Sequence, residues 1–348
     1  MGGWMYRRGR AAVAVAVAGA GMLLAAGCSS SDGGGGSGGG AGSVSAPVGQ
    51  RPDGGGDPFW VNPDGTAARQ VAAYEKAGRT AEAAQLRKIA EQPTAEWIGP
   101  ENPEAEARGF TEAARKADRT AVLVLYDIPH RDCGQFSRGG AADGDAYRAW
   151  VAAVARGIGD RPALVVLEPD AVPHMVDGCT PRELHEERYD LLKGAVATLA
   201  GLRNTSVYLD AGNAGWGRPD RVPAALRRAG IGRADGFAVN VANFYGTRES
   251  VAYGKELSAK VDGKPFVVDT SRNGNGPYES GTPTERWCNP PGRALGATPT
   301  VRTGDPSVTA YLWIKHPGES DGTCKGGPAA GTWWPSYALS LAKASSAP

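Results

Sequence analysis

The chain has 348 residues, with 38 Lys and Arg against 37 Asp and Glu, a formal charge of +1 at neutral pH. Such a balance, with no basic stripe, excludes nucleic acid as the main partner. None of the five cysteines forms a Cys-x-x-Cys pair, so neither a structural zinc site nor any cofactor is expected.

In chain order, residues 1–28 read as an export signal. Arg7, Arg8 and Arg10 form a basic start, residues 11–26 an apolar run, and small residues lead to Cys28. The run is too short and too rich in Ala and Gly to span a bilayer, which takes about 20 strongly apolar residues. The stretch "LLAAGCSSS" resembles a bacterial lipobox, which implies lipidation of Cys28 and membrane anchoring there. Ala25 stands where that motif usually has Leu. An ordinary secretory signal is the alternative. Residues 29–56, rich in Gly, Ser and Ala, cannot bury apolar area and predict a flexible tether. Residues 57–348 remain as one catalytic-sized domain, expected to be exported and monomeric. It would sit at the cell surface if Cys28 is lipidated, and be secreted otherwise.

Apolar runs predict strands over 121–126, 163–168, 206–210, 236–240, 265–269 and 309–314. Helical patterns fall at 67–91, 104–118, 143–158, 182–200, 220–229 and 247–260. Continuous apolar strands between helices predict a parallel sheet buried on both faces. A β/α barrel and a doubly wound sheet both fit. The lack of G-x-G-x-x-G after the first strand weakens a dinucleotide fold.

Each predicted strand ends in polar residues: Tyr126 with Asp127, Glu168 with Asp170, Asp210, Asn240, Asp269, then Lys315 with Glu319. Strand carboxyl ends of a parallel sheet share one side, so these groups should line one cleft. Trp97, Trp216 and Trp287 fall in predicted loops, where an indole face can stack on sugar C–H groups. Trp313, inside a strand run, is expected in the core. Cys133, Cys179, Cys288 and Cys324 are an even set in an exported chain and predict two disulfides. Three pairings are possible. Cys133–Cys179 and Cys288–Cys324 are favoured, because each closes a segment between successive strand ends.

No G-x-S-x-G elbow occurs, and Ser271 has no base near it in sequence. His130, His174, His185 and His316 lack metal-ligand spacing. Carboxylates together with tryptophans point to glycoside hydrolysis.

The blocks "LYDIPHRDCGQFSRGGA", "VVLEPDAVP", "YLDAGNAGW", "FAVNVANFY", "VVDTSRNGNGP", "WCNPPGRALG" and "LWIKHPGESDGTC" occur in that order. Together they resemble glycoside hydrolase family 6, the inverting cellulases, from about Phe59 to the C-terminus. The resemblance implies a distorted β/α barrel with a cleft across the strand carboxyl ends. It implies Asp170 as general acid and Asp132 as the neighbouring carboxylate, implicated also in taking a proton from the attacking water. Tyr126 would crowd the sugar at the cleavage point. Asp210, Lys315, Glu319 and Asp321 match further cleft positions. Lys315 and Glu319 look like sugar-binding residues, and Asp321 holds a place once assigned to a direct base. With Trp97, Asn213, Trp216, Asn240 and Trp287 they make up the expected binding set. Asn213 stands where the family usually has His, and "ANFYGT" also departs from the usual pattern.

The expected partner is a β-glucan or its cello-oligosaccharides, cut at internal β-1,4 bonds with inversion. The segments between the paired cysteines are too compact to roof the cleft into an exo-acting tunnel. With no carbohydrate-module pattern, crystalline cellulose should be a poor target. The alternatives are a cellobiohydrolase or mixed-linkage glucanase on the same fold, or a non-catalytic sugar-binding lipoprotein.

Overall fold

The computed structural model describes residues 57–216, 219–282 and 286–345. The residues expected as export signal and tether, with Cys28, lie outside the described residues. Among these residues, seven strands form one sheet, parallel throughout and ordered as in the chain: β1 (Glu96–Ile98), β2 (Ala121–Leu125), β3 (Ala163–Leu167), β4 (Thr205–Asp210), β5 (Gly236–Val239), β6 (Phe266–Asp269) and β7 (Val308–Leu312). The two edges meet. A parallel bridge joins Thr94, just before β1, to Trp313, just after β7, and the Ala95 amide donates to the Trp313 carbonyl at 3.0 Å. This is the distorted barrel, and a doubly wound order is ruled out.

Alternation along each strand explains the unbroken apolar runs. Val122, Val124, Leu164, Val166, Tyr208, Ala238, Val267, Ala310 and Leu312 pack together inside the barrel. Their neighbours Leu123, Leu125, Val165, Leu167, Val207, Leu209, Phe237, Val239, Phe266 and Val268 pack outward, under the helices. Each such side chain contributes about 1.5–3 kcal/mol by leaving water. The same parity turns the next inward positions, Tyr126, Asn240 and Ile314, and the last strand residues Asp210 and Asp269, onto the top layer of the barrel.

The helices are α1 (Thr66–Lys76), α2 (Thr80–Ala90), α3 (Pro103–Lys116), α4 (Gly144–Ile158), α5 (Ala171–Asp177), α6 (His185–Leu199), α7 (Val222–Arg228), α8 (Thr247–Lys260) and α9 (Pro335–Ala344). The single helix expected over 67–91 is two. Gly78, at φ +73°, ends α1, and the Arg79 amide turns back to the Tyr74 carbonyl at 2.8 Å. The α4 start is set by Asp143, whose side chain accepts from the Ala146 amide at 2.8 Å. Sequence patterning missed β1, α5 and α9. The three residues of β1 are too few for a period to show. None of the described helices is long and apolar enough to cross a membrane.

Candidate active site

A cleft of about 1170 Å³ runs across the strand carboxyl ends. Of the residues singled out from sequence, Trp97, Tyr126, Asp132, Asp170, Asn213, Trp216, Trp287, Lys315, Glu319 and Asp321 line it; Asp210 and Asn240 do not.

Asp170 opens α5 in a left-handed conformation, φ +68°. A non-glycine residue seldom adopts this. Its backbone amide donates to Asp210 Oδ2 at 2.9 Å. Burial, and then the charges of Asp210, Asp132 and Asp177, push its carboxyl well above the ordinary range. Asp210 is 1% exposed and lies behind Asp170, also accepting from the Gly212 amide at 3.2 Å. Burial raises it to about 7 against the pull of those amides. It therefore braces the Asp170 backbone from beneath the cleft floor.

Asp132 comes from the loop after β2, whose backbone is left-handed at Asp132 and Cys133. The loop is pinned at both ends. Glu168 accepts from the Asp127 and Ile128 amides at 3.1 Å each. Arg188 on α6 donates to the Pro129 carbonyl at 2.9 Å and the His130 carbonyl at 3.0 Å. At the far end Gly140 lies so close to Ile128 that a Cβ there would sit 2.0 Å from its carbonyl oxygen. The Asp132 carboxylate accepts from the Ser137 amide. Burial raises its pKa, while that amide and Arg131 pull it down. Cys133 is bonded to Cys179, two residues past the end of α5, and Cys288 to Cys324. The first disulfide thus ties the Asp132 loop to the segment that begins at Asp170.

Tyr126 stands edge-on to Trp97, ring centroids 5.7 Å apart, with the Arg131 guanidinium 4.8 Å over its ring. Burial, and then Asp170 and Asp132, hold its hydroxyl neutral far beyond the ordinary phenol range. Trp97 is placed on β1, not in a loop; it is half-buried, and its Nε1 donates to the Ile314 carbonyl at 2.9 Å. Trp216 is half-buried, its Nε1 donating to Asp177 Oδ2 at 2.8 Å. Trp287 is half-buried and lies 6.0 Å from Phe136 in the Asp132 loop. Trp313 is core, 2% exposed.

Lys315 Nζ lies 3.6 Å from Glu319 Oε2. Burial raises Glu319, but His316 and Lys315 outweigh it and hold the carboxyl below its ordinary value. Asp321 is committed. Its two oxygens meet Arg272 Nη1 at 2.9 and 3.0 Å, and Oδ2 also accepts from the Asn289 amide at 3.0 Å. Both its oxygens are thus taken up by Arg272, in a charge-assisted pair. Asn213 lines the cleft, and its Oδ1 accepts from the Gly215 amide at 3.0 Å in a local turn.

Asn240, expected among the binding residues, does not line the cleft. It is 0% exposed. Its amide donates to the Tyr245 and Asp269 carbonyls at 3.1 and 2.9 Å, and its oxygen accepts from the Tyr245 amide. Asp269 likewise gathers the Ser271, Ala242, Ile314 and Lys315 amides. Buried polar groups must be paired, and these two spend that pairing on holding loops together. Arg131, His174, Phe136 and Trp333 also line the cleft and were not picked out. Arg131 sits inside a quoted block, but nothing in the sequence marks Trp333, which reaches the cleft only because the chain returns there after β7. His174 lies against Trp216, centroids 5.3 Å apart, and burial lowers its pKa to about 4. It lies within 4.8 Å of Cys133 and Cys179, but both sulfurs are held in the disulfide.

Residues 55–345 match the model of the glycosyl hydrolases family 6. The chain is 42% identical over 289 residues to Endoglucanase A of Cellulomonas fimi, covering 82% of this chain and 61% of that relative. It thus spans less than two thirds of that protein. It is 42% identical to Endoglucanase 1 of Streptomyces halstedii, over 81% of this chain and 88% of the other. A similar solved structure is the endoglucanase Cel6 from Mycobacterium tuberculosis, in complex with methyl-cellobiosyl-4-deoxy-4-thio-β-D-cellobioside. Its TM-score is 0.77 and its identity 43%, over 83% of this chain and 98% of that one.

Proposed function

The chain belongs to glycosyl hydrolases family 6, and from that premise we propose that it cleaves internal β-1,4 bonds of a β-glucan with inversion. The observation that carries this reading is Asp170, a cleft carboxyl whose pKa burial and the charges of Asp210, Asp132 and Asp177 push well above the ordinary range. Such a group can protonate a leaving glycosidic oxygen near neutral pH. Tyr126, neutral and wedged between Trp97 and Arg131, crowds the ring whose distortion the oxocarbenium-like transition state needs. Trp97, Trp216 and Trp287 offer faces to glucosyl units, and Lys315, Glu319 and Asn213 offer hydroxyl partners. Asp132, and not Asp321, takes the water's proton, because Asp321 is occupied by Arg272. The relatives named as endoglucanases, and the cellobiosyl ligand of the neighbour, support internal attack on cellulose-type chains.

Time-resolved product sizing on carboxymethyl-cellulose and barley glucan, with anomeric detection by NMR, tests this. Early mid-length products in the α-anomer are expected. Cellobiose alone from the start would point to a chain-end enzyme, and binding without released reducing sugar to a sugar-binding protein. The two disulfides fit an oxidising compartment outside the cytoplasm. Residues 1–28 would direct export and Cys28 would carry a lipid anchor, with residues 29–56 as a spacer below the catalytic domain. Metabolic labelling with palmitate should mark the wild-type chain and not Cys28→Ala.

Asp132→Ala is expected to slow turnover roughly tenfold or more. It should also move the alkaline limb of the pH–rate profile to lower pH. The Asp132 charge disfavours ionisation of Asp170, so its removal lets Asp170 lose its proton sooner. An unmoved limb would break that coupling.

A further inference from the structure

His316 follows Lys315 in the segment after β7 and faces two acceptors at once. Its Nδ1 lies 2.6 Å from Glu319 Oε1, and its Nε2 meets the Ala95 carbonyl across the barrel seam. A neutral imidazole carries one N–H and can satisfy only one of them. A carbonyl can never donate. The remaining neutral arrangement needs Glu319 protonated, and Lys315 Nζ at 3.6 Å opposes that. We infer that His316 is held as the imidazolium and is the positioning residue for Glu319, fixing that carboxylate in the cleft by anchoring it to the β1–β7 seam.

The anchor is rigid because the seam is short. Thr94 bridges Trp313, the Ala95 amide donates to the Trp313 carbonyl, and Trp97 Nε1 donates to the Ile314 carbonyl at 2.9 Å. His316 adds a further tie, from the β7 side to the β1 side. Without it, Glu319 keeps Lys315, whose contact of 3.6 Å gives no tie to the Ala95 backbone.

The charged groups facing the ring are Glu319 and Lys315 from its own segment and Glu96 from β1. Beyond Glu96 lie Arg69 of α1 and Glu106 of α3. Burial lowers the His316 pKa, but Glu319 and the Ala95 carbonyl more than offset this and leave it raised. The charge is therefore present at acid pH and lost as pH rises through that raised value. One of the two contacts then goes.

The proposal rests on the reading of Glu319 as a sugar partner, so the test has two arms. In the full chain labelled with ¹⁵N, long-range proton–nitrogen correlation should show both His316 ring nitrogens protonated at pH 6. Titration should come above the ordinary value of about 6.5. A neutral ring at pH 6 overturns the inference, whatever the enzyme does. In the kinetic arm, with cellopentaose as probe, the wild-type KM should climb as pH passes the His316 titration. His316→Gln should have a KM raised about tenfold at pH 6, the weight of a charge-assisted hydrogen bond, with kcat within about twofold and no such pH dependence of KM. A rise in KM that keeps the wild-type pH dependence also overturns it. A protein that hydrolyses no β-glucan fails the hydrolase reading instead, and the nitrogen titration still decides the state of His316.

Discussion

Asp170→Asn is expected to lower kcat on cello-oligosaccharides by about 10²–10⁴-fold, the usual share of a positioned general acid. Asparagine keeps the shape and the Asp170 backbone contact to Asp210, so binding measured by calorimetry should persist. Substrates with good leaving groups, which need little protonation, should be spared. Wild-type turnover on cello-oligosaccharides would remove Asp170 from the acid role.

The same variant should show what the raised pKa costs the fold. The Asp170 carboxyl holds a proton in the folded chain that it would release when unfolded, where its pKa is about 3.9. Folded chains then bind more protons, so stability falls as pH rises from that value through the raised one. Asparagine has no such proton to lose. The melting temperature of Asp170→Asn should therefore be less sensitive to pH on the alkaline side and exceed that of the wild type there. A parallel pH dependence in the two proteins would mean that Asp170 is not the strained group. An acid kept neutral in a site that disfavours its charge is a common point where activity opposes stability.

Arg272→Ala is expected to destabilise the protein by about 3–5 kcal/mol, the range for a buried ion pair that loses one partner. Arg272 is 0% exposed, with its guanidinium on both Asp321 oxygens, and it donates to the Ala242 carbonyl at 2.6 Å. The guanidinium also lies 4.3 Å over the Phe244 ring. Truncation would leave the Asp321 carboxylate buried with only the Asn289 amide, and a void beside Phe244. Denaturant unfolding checks this. A loss below about 1 kcal/mol would mean that water or another cation replaces Arg272. The double variant Arg272→Ala with Asp321→Ala should recover part of the loss, since the uncompensated charge goes with it.

Legibility from sequence followed the range of the interaction. The six longest strands could be read because apolar residues dominate each, both faces being buried in β2 to β6 and alternate residues half-buried in β7. The blocks around Tyr126, Asp132, Asp170 and Lys315 could be read because each site element is a short run at one strand end. β1 could not: Glu96, Trp97 and Ile98 are three residues and show no pattern, yet they form the seam that His316 and Trp97 close.

Asn240 and Asp269 show where such reading misleads. By sequence each is a polar residue at a strand end, equal in kind to Asp170 or Lys315. The fold gives Asn240 and Asp269 to backbone groups of neighbouring loops and leaves Asp170 open to the cleft. Asp321 differs in the same way, because Arg272, 49 residues earlier, reaches its carboxylate. A residue's type and its place at a strand end are local properties, and the sequence alone determined them, along with the parallel sheet they imply. Whether a carboxylate is protonated, paired or free depends on charges and amides brought near from distant segments. Only the tertiary structure decided that, because burial and Coulomb interaction act through space and not along the chain.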